Sequence, residues 1–165
     1  KTLMIFKETQ RFTQWWLWVI LLATVAPFVY GIYQQIIIKE PFGNNPLSNA
    51  GLIAVTLFTS SILVLFAYMR LETKIDAHGI SMRYVPFIKK NIPWSEVASA
   101  KVVKYGFVGY GIRLGSKFGT VYNTKGNKGL ALVLQNGKKL CIGTQRPKEL
   151  EQIISKISHQ KNIPQ

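Results

Sequence analysis

Charge is absent from two long stretches of this chain, and that limits the possible folds more than any other feature. The 165 residues include 21 Lys and Arg against 7 Asp and Glu, yet no charged residue occurs from Phe12 to Ile38 or from Pro41 to Met69. A simple soluble domain is therefore excluded. A disulfide-rich secreted scaffold is excluded as well, because Cys141 is the only cysteine.

Each neutral stretch contains a segment with the length of a transmembrane helix. The first, residues 15–38, exceeds the roughly 20 residues that a helix needs to cross the hydrocarbon layer, and the second, residues 51–69, is just long enough. Aromatic side chains that are typical of membrane interfaces lie toward their ends: Trp15, Trp16, Trp18, Tyr30, Tyr33 and Tyr68. We therefore predict two transmembrane helices joined as a hairpin.

The basic residues beside the two segments predict their orientation. Lys1, Lys7 and Arg11 precede the first segment and Arg70 and Lys74 follow the second, whereas the connection over residues 39–51 holds Lys39 alone. The positive-inside rule then predicts a multi-pass protein of the inner (cytoplasmic) membrane with both termini in the cytoplasm. A cleaved signal peptide is the alternative, but Pro27 directly follows the small-residue site and the apolar run continues past it.

From Leu71 onward, short runs of β-branched and aromatic residues alternate with turn signals, which predicts an antiparallel β domain of about seven strands. The segments in chain order are 71–77, 80–85, 92–94, 97–105, 111–114, 120–122, 129–135 and 138–142, of which 92–94 is a short segment beside the seven strands. Tight turns lie at His78-Gly79 and Asn136-Gly137. Pro93 indicates an edge position for the third segment. Pro147 then opens an amphipathic helix whose apolar stripe is Leu150, Ile153, Ile154 and Ile157.

This order of elements resembles the bacterial pleckstrin-homology-like domains, many of which follow a pair of transmembrane helices. The resemblance rests on Asp76-Ala77-His78-Gly79-Ile80, on Ile92-Pro93-Trp94-Ser95-Glu96-Val97 and on the closing Pro-plus-helix, and it covers residues 71 to about 160. It implies a seven-stranded bent sheet or barrel with a C-terminal capping helix, and it implies no enzymatic activity. The predicted fold class is thus membrane-anchored α+β: residues 1–70 hold the N-terminal segment and the helices, 71–160 form the cytoplasmic domain, and 161–165 form a tail.

The predicted domain is strongly basic. From Leu71 onward, 13 Lys and 3 Arg face 5 acidic residues, a net charge of +11. A domain held beside an anionic leaflet gains about 1 kcal/mol for each Lys or Arg near the surface, so anionic lipid head groups are one explanation. Solvated cations that only keep the domain soluble are the other. Nucleic acid is not predicted as a partner, because no helix-turn-helix, zinc or RNA-binding signature accompanies the charge.

A glycine-rich segment is the predicted binding surface. Seven glycines occur from Gly106 to Gly129, interleaved with aromatic and basic residues that include Phe107. Such a loop suits a peptide, a lipid head group or a partner strand, although turns and bulges alone would also explain the glycines. The candidate binding residues are Tyr110, Arg113, Lys117, Phe118, Lys125 and Lys128.

The sequence predicts no catalytic residues, no metal site and no cofactor. His78 and His159 lie far apart in the predicted fold, Cys141 lies in a strand without an evident base, and no two acidic residues form a recognisable pair. We therefore expect a non-catalytic binding or assembly module that presents a basic domain to lipid head groups or to another membrane protein, with self-association as a variant. The alternative is a subunit or accessory domain of a membrane enzyme or transporter.

The membrane prediction has a direct test. Because two uncharged stretches of this length require a hydrocarbon environment, we expect the full chain to sediment with membranes during ultracentrifugation without detergent. A full-length product that stayed in the supernatant would contradict the prediction.

Overall fold

The computed structural model describes residues 4–106 and 109–164. The chain divides into two compact units. One is Thr13–Tyr68, and the other combines the residues up to Phe12 with those from Met69 onward. Lys1, one of the basic residues that predicted the orientation, and Phe107 of the glycine-rich segment lie outside the described residues.

The first unit is a hairpin of two apolar helices. Helix α1 spans Trp15–Ile32 and continues as a π-helix over Tyr33–Ile38, and helix α2 spans Asn49–Tyr68. Both are long and apolar enough to cross a membrane, as predicted. The helices pack against each other, and the buried positions of α2 are Leu52, Thr56 and Thr59. The Thr56 hydroxyl donates to the Leu52 carbonyl within the same helix, so it needs no water.

The connection between the helices is held by specific contacts. The Gln35 side chain donates to the Leu47 carbonyl at 2.8 Å and to Asn49 Oδ1 at 2.7 Å. The Ser48 hydroxyl accepts a hydrogen bond from the Gly51 N–H and thus caps the start of α2. Gly31 is required on α1, because a Cβ there would lie 2.7 Å from the Phe42 ring.

The second unit contains a four-stranded antiparallel sheet, and one of its strands precedes the two helices in the sequence. Strand β1 (Met4–Arg11) pairs with β2 (Arg70–Asp76), followed by β3 (Gly79–Val85) and β4 (Ile88–Pro93). Arg11 pairs with Arg70, so the helical hairpin is inserted between two neighbouring strands. The predicted division assigned residues 1–70 to the N-terminal segment and helices, whereas β1 belongs to the sheet.

The second sheet has five strands. They are β5 (Val97–Lys104), β6 (Gly111–Ser116), β7 (Gly119–Asn123), β8 (Lys128–Leu134) and β9 (Lys139–Gly143), in the order β5-β8-β9-β7-β6. A 3₁₀ turn over Trp94–Glu96 joins the two sheets. The described residues thus form nine strands in two separate sheets, whereas the resemblance implied a single seven-stranded bent sheet or barrel. Strands β7 and β9 also pair in parallel, which corrects the purely antiparallel prediction.

Several local predictions are confirmed. Strands β8 and β9 form the hairpin at Asn136-Gly137, where Gly137 has a φ of 78°. Strand β4, which carries Pro93, is an edge strand. Trp94 is buried and donates its indole N–H to the Asp76 carbonyl at 2.9 Å, whereas Glu96 is exposed.

Helix α3 (Pro147–Lys161) packs mainly on β5 and also contacts β1 and β8. Leu150, Ile154 and Ile157 are buried on one helix face and Ile153 is half-buried, which confirms the predicted apolar stripe. The helix follows Arg146, whose guanidinium lies over the Phe6 ring and donates to the Lys7 carbonyl. Strand β1 is thereby tied to the closing helix.

Buried polar side chains on β1 also connect the two sheets. The Glu8 carboxylate, 7% exposed, accepts hydrogen bonds from the Thr144 hydroxyl and the Gln145 N–H, both at 2.8 Å. Gln10 donates to the Gly143 carbonyl at 2.7 Å. A charge in this position is tolerated because its oxygens are hydrogen-bonded.

This topology predicts that the second unit still folds when the helical hairpin is deleted, whereas it does not fold when β1 is deleted. A chain in which Phe12 is joined to Met69 through Asn-Gly should fold as a soluble domain, because Arg11 and Arg70 are already paired and a two-residue turn suits that register. A fragment that begins at Leu71 should aggregate, because it lacks β1. Near-ultraviolet circular dichroism and size-exclusion chromatography compare the two chains.

A matched variant of the joined chain, Glu8→Ala, should lower the free energy of unfolding by about 1–3 kcal/mol, since it leaves the Thr144 and Gln145 donors without their acceptor. Equal stability of the joined chain and the Leu71 fragment would contradict the role of β1.

Candidate functional site

The predicted binding residues do not form one site. Lys117 and Phe118 lie in the turn between β6 and β7, with the Lys117 Nζ 5.1 Å from the centroid of the Phe118 ring. Phe118 is partly buried against Tyr105, Val121 and Cys141. Its ring therefore contributes to packing on the second sheet, and Lys117 is exposed beside it.

Lys125 and Lys128 lie at the other end of that hairpin. Gly111 pairs with Asn123 at one end of β6 and β7, whereas Ser116 pairs with Gly119 next to the Lys117-Phe118 turn. Lys125 is in the connection from β7 to β8, and its carbonyl accepts a hydrogen bond from the Gln145 side chain at 2.6 Å. Lys128 begins β8 and pairs with Lys104.

Tyr110 and Arg113 lie near a buried group of hydroxyls and amides. The Tyr84 hydroxyl donates to the Asn123 carbonyl at 3.1 Å, and the Asn123 side-chain amide donates to the Tyr105 hydroxyl and the Gly109 carbonyl. The Arg113 guanidinium packs over Gly109, where a Cβ would lie 2.7 Å from Arg113 Nε. This group is a buried structural network more than an open binding surface.

A different surface concentrates positive charge. On the four-stranded sheet, alternate residues of each strand are buried, and the opposite face carries Lys7 and Arg11 of β1, Arg70 and Lys74 of β2, Arg83 of β3 and Lys89 of β4. We call these six residues the cationic face. Two acidic side chains lie on the same face, Glu72 and, at the end of β2, Asp76, and the remaining positions include Thr9, Ser81 and Asn91.

The cations of this face are placed directly opposite one another. Lys7 pairs with Lys74, Arg11 with Arg70, and Arg83 with Lys89. Directly opposed residues on antiparallel strands have Cβ atoms about 4.5–5.5 Å apart, and like charges in this position destabilise a sheet. Three such pairs on one face oppose folding, although Arg83 also lies directly opposite Glu72 of β2, which offsets part of the repulsion.

Glu72 partly neutralises the centre of the face. Its carboxylate accepts a hydrogen bond from Arg70 Nε at 2.6 Å. That bond, together with the charges of Arg70, Arg83 and Lys74, holds the pKa of Glu72 below its usual range, against a smaller effect of burial. Glu72 is therefore ionised at neutral pH, and the face keeps a large excess of positive charge.

A shallow depression lies within the cationic face. It measures about 180 Å³ and is lined by Glu72, Lys74, Ser81, Arg83 and Lys89. Liquid water occupies about 30 Å³ per molecule, so a phosphate-sized anion with some hydration can be accommodated. Arginine and lysine side chains at its wall match the chemistry of phosphate recognition.

Groups suited to catalysis are not brought together in the described part of the chain. Burial raises the pKa of the Cys141 thiol to about 12, so the thiolate does not form near neutral pH. His78 lies in the turn between β2 and β3, and His159 lies on α3. A depression of about 350 Å³ near His78 also contains Asp76, but that carboxylate accepts the backbone N–H groups of His78 and Gly79. Among the described residues, no three His, Cys, Asp or Glu side chains form a metal-binding group.

Sequence reasoning missed the cationic face although a signal for it was present. Phe6, Glu8 and Gln10 alternate with Lys7, Thr9 and Arg11, which is the period of a strand with one exposed face. The position of these residues before a long apolar segment favoured the interpretation as a membrane flank. Pairing between strands on either side of that segment could not be read from local pattern.

Comparisons with models of protein families, with curated proteins and with solved structures find no match to this chain. The structure shares a general layout with the predicted family. Two apolar helices are followed by a sheet-rich domain with a C-terminal helix.

The buried network around Tyr84 predicts a pH dependence. Burial raises the pKa of Tyr84 to about 12 from an ordinary value of 10.0, with the charge of Arg113 acting in the opposite direction. The unfolded chain therefore loses this proton first as the pH rises above about 10, and the free energy of unfolding falls until the pH reaches about 12. Tyr84→Phe should remove part of this decline while costing about 1 kcal/mol at neutral pH for the lost hydrogen bond.

Guanidinium titrations of the full chain in nonionic detergent, followed by tryptophan fluorescence at several pH values, measure this effect. The control is Tyr68→Phe, because Tyr68 is exposed and belongs to the other unit. An alkaline decline that is identical in the wild type and in Tyr84→Phe would contradict the assignment.

Proposed function

We propose that this chain is a membrane-anchored, non-catalytic binding module whose cationic face contacts anionic lipid head groups of the membrane that holds it. The observation that carries the proposal is the set of three directly opposed cation pairs on the sheet that is joined to the two apolar helices. Opposed like charges destabilise the sheet in water, whereas an anionic surface stabilises it by about 1 kcal/mol for each nearby cation.

The chain connectivity supports a location of the face near the bilayer. Arg11 lies four residues before the start of α1 at Trp15, and Arg70 lies two residues after the end of α2 at Tyr68. Because these two arginines are paired, a hairpin that crosses the membrane leaves both strands on the same side. The distribution of basic residues assigns that side to the cytoplasm of an inner-membrane protein.

The resemblance to the bacterial pleckstrin-homology-like domains is part of this proposal. Its support is the order of elements, from a four-stranded sheet through a second sheet to a closing helix. The nine strands and the parallel pairing of β7 with β9 depart from the expected pattern. The lipid proposal therefore rests on the charges of this chain.

Self-association through the edge at Pro93 is less well supported. Strand β4 is an edge, but it carries Lys89, Lys90 and Pro93, which are residues that protect exposed edges from pairing with another chain. At the same edge position, these lysines can also contact an anionic surface directly.

The proposal predicts that lipid binding depends on the cationic face more than on basic charge in general. The full chain in nonionic detergent is titrated with phosphatidylglycerol or phosphatidylcholine, and bound lipid is measured by native mass spectrometry at low and high salt. The wild type should prefer phosphatidylglycerol. The double variant Arg83→Gln/Lys89→Gln should bind it roughly 30-fold more weakly, since two cations contribute about 2 kcal/mol.

The control is Lys117→Gln/Lys125→Gln, which removes the same charge from exposed positions on the second sheet. Its affinity should change by less than about threefold. Equal losses in the two double variants, or no preference for the anionic lipid, would overturn the proposed function.

A further inference from the structure

The turn between β3 and β4 exposes an apolar pair, Pro86 and Phe87. The Phe87 side chain is 55% exposed, and its backbone N–H donates to the Tyr84 carbonyl at 2.8 Å, which closes the turn. Val85, just before this pair, is buried. The chain therefore leaves the domain core at Val85 and presents Phe87 at the surface.

The register fixes the end of the sheet at which this turn lies. Arg11, Arg70 and Val85 form one row across β1, β2 and β3. Arg11 and Arg70 are the strand ends that lead to α1 and α2, so the Pro86-Phe87 turn projects from the same end of the sheet. The turn at His78 lies at the opposite end of β3, about 20 Å away at about 3.3 Å per residue.

Charged residues accompany Phe87 at this end of the sheet. Arg83 and Lys89, the opposed pair of the cationic face, lie on either side of the turn in sequence. Aromatic rings with flanking cations are the composition of a membrane-interface contact.

We propose that the Pro86-Phe87 turn inserts into the head-group boundary of the bilayer, with Phe87 among the acyl-chain carbons nearest the head groups and Arg83 and Lys89 at the phosphates. This inference rests on the proposed membrane anchoring and adds a second, apolar point of attachment. An isolated exposed phenylalanine is common on soluble domains. This one is distinguished by its place at the strand ends that lead to the helices and by the cations beside it.

The test places a fluorescent label at three positions of the full chain. Native Cys141 is fully buried and its pKa is raised to about 12, so an introduced cysteine is the thiol that reacts near neutral pH. The variants are Phe87→Cys, His78→Cys at the opposite end of the same sheet, and Leu57→Cys on α2, where the native side chain is 66% exposed. All three native side chains are exposed, so the folded domain should tolerate the changes.

Each variant is labelled with a nitrobenzoxadiazole reagent and reconstituted into vesicles of phosphatidylcholine and phosphatidylglycerol. Quenching by lipids with a nitroxide at a shallow or a deep acyl position is compared with quenching by aqueous iodide. We expect the label at position 87 to be quenched at least twofold by the shallow nitroxide and to be protected from iodide. The label at position 78 should show the reverse pattern, and that at position 57 should respond to the deep nitroxide.

The three positions separate failure of this inference from failure of the anchoring. If position 57 responds to the lipid quencher while position 87 behaves like position 78, insertion of the turn is overturned and the anchoring stands. If position 57 does not respond to either lipid quencher, the membrane anchoring itself is overturned, and insertion of the turn with it.

Discussion

The pairing of β1 with β2 is the constraint on which the rest of the structure depends. It joins residues from the two sides of a long helical insertion, and it brings Glu8 and Gln10 to the segment that follows β9. Without β1, the four-stranded sheet would lose an edge and the cationic face would lose Lys7 and Arg11. The same strand therefore contributes to the core on one face and to the charged surface on the other.

The opposed cations show a balance between stability and binding. Arg83 lies opposite Glu72 on β2, which favours the sheet, and opposite Lys89 on β4, which opposes it, whereas Lys7 lies opposite Lys74. Glu72 and its bond to Arg70 relieve part of the repulsion at the centre. An external anion would offset the remaining excess charge, which links the repulsion within the sheet to the proposed binding of lipid.

Local sequence patterns predicted much of the structure. The uncharged stretches predicted both helices, Asn136-Gly137 predicted a hairpin, and the spacing of Leu150, Ile154 and Ile157 predicted the buried face of α3.

The failures involve long-range pairing. The strand at residues 4–11 pairs with residues beyond the hairpin, and β7 pairs in parallel with β9 although β8 lies between them in sequence. Neither relation leaves a local signal. The candidate binding residues were chosen from one glycine-rich segment, and the register separates them because that segment includes both ends of a β-hairpin.

The insertion of the helices within a sheet also affects biogenesis. During synthesis β1 emerges before both helices, and its partner β2 follows only after the helices have been made. If the second helix fails to enter the bilayer, the two strands remain on opposite sides of it and the sheet cannot close. Folding of the domain would then depend on correct insertion of both helices. Chains with only one inserted helix would expose an unpaired strand to quality-control proteases.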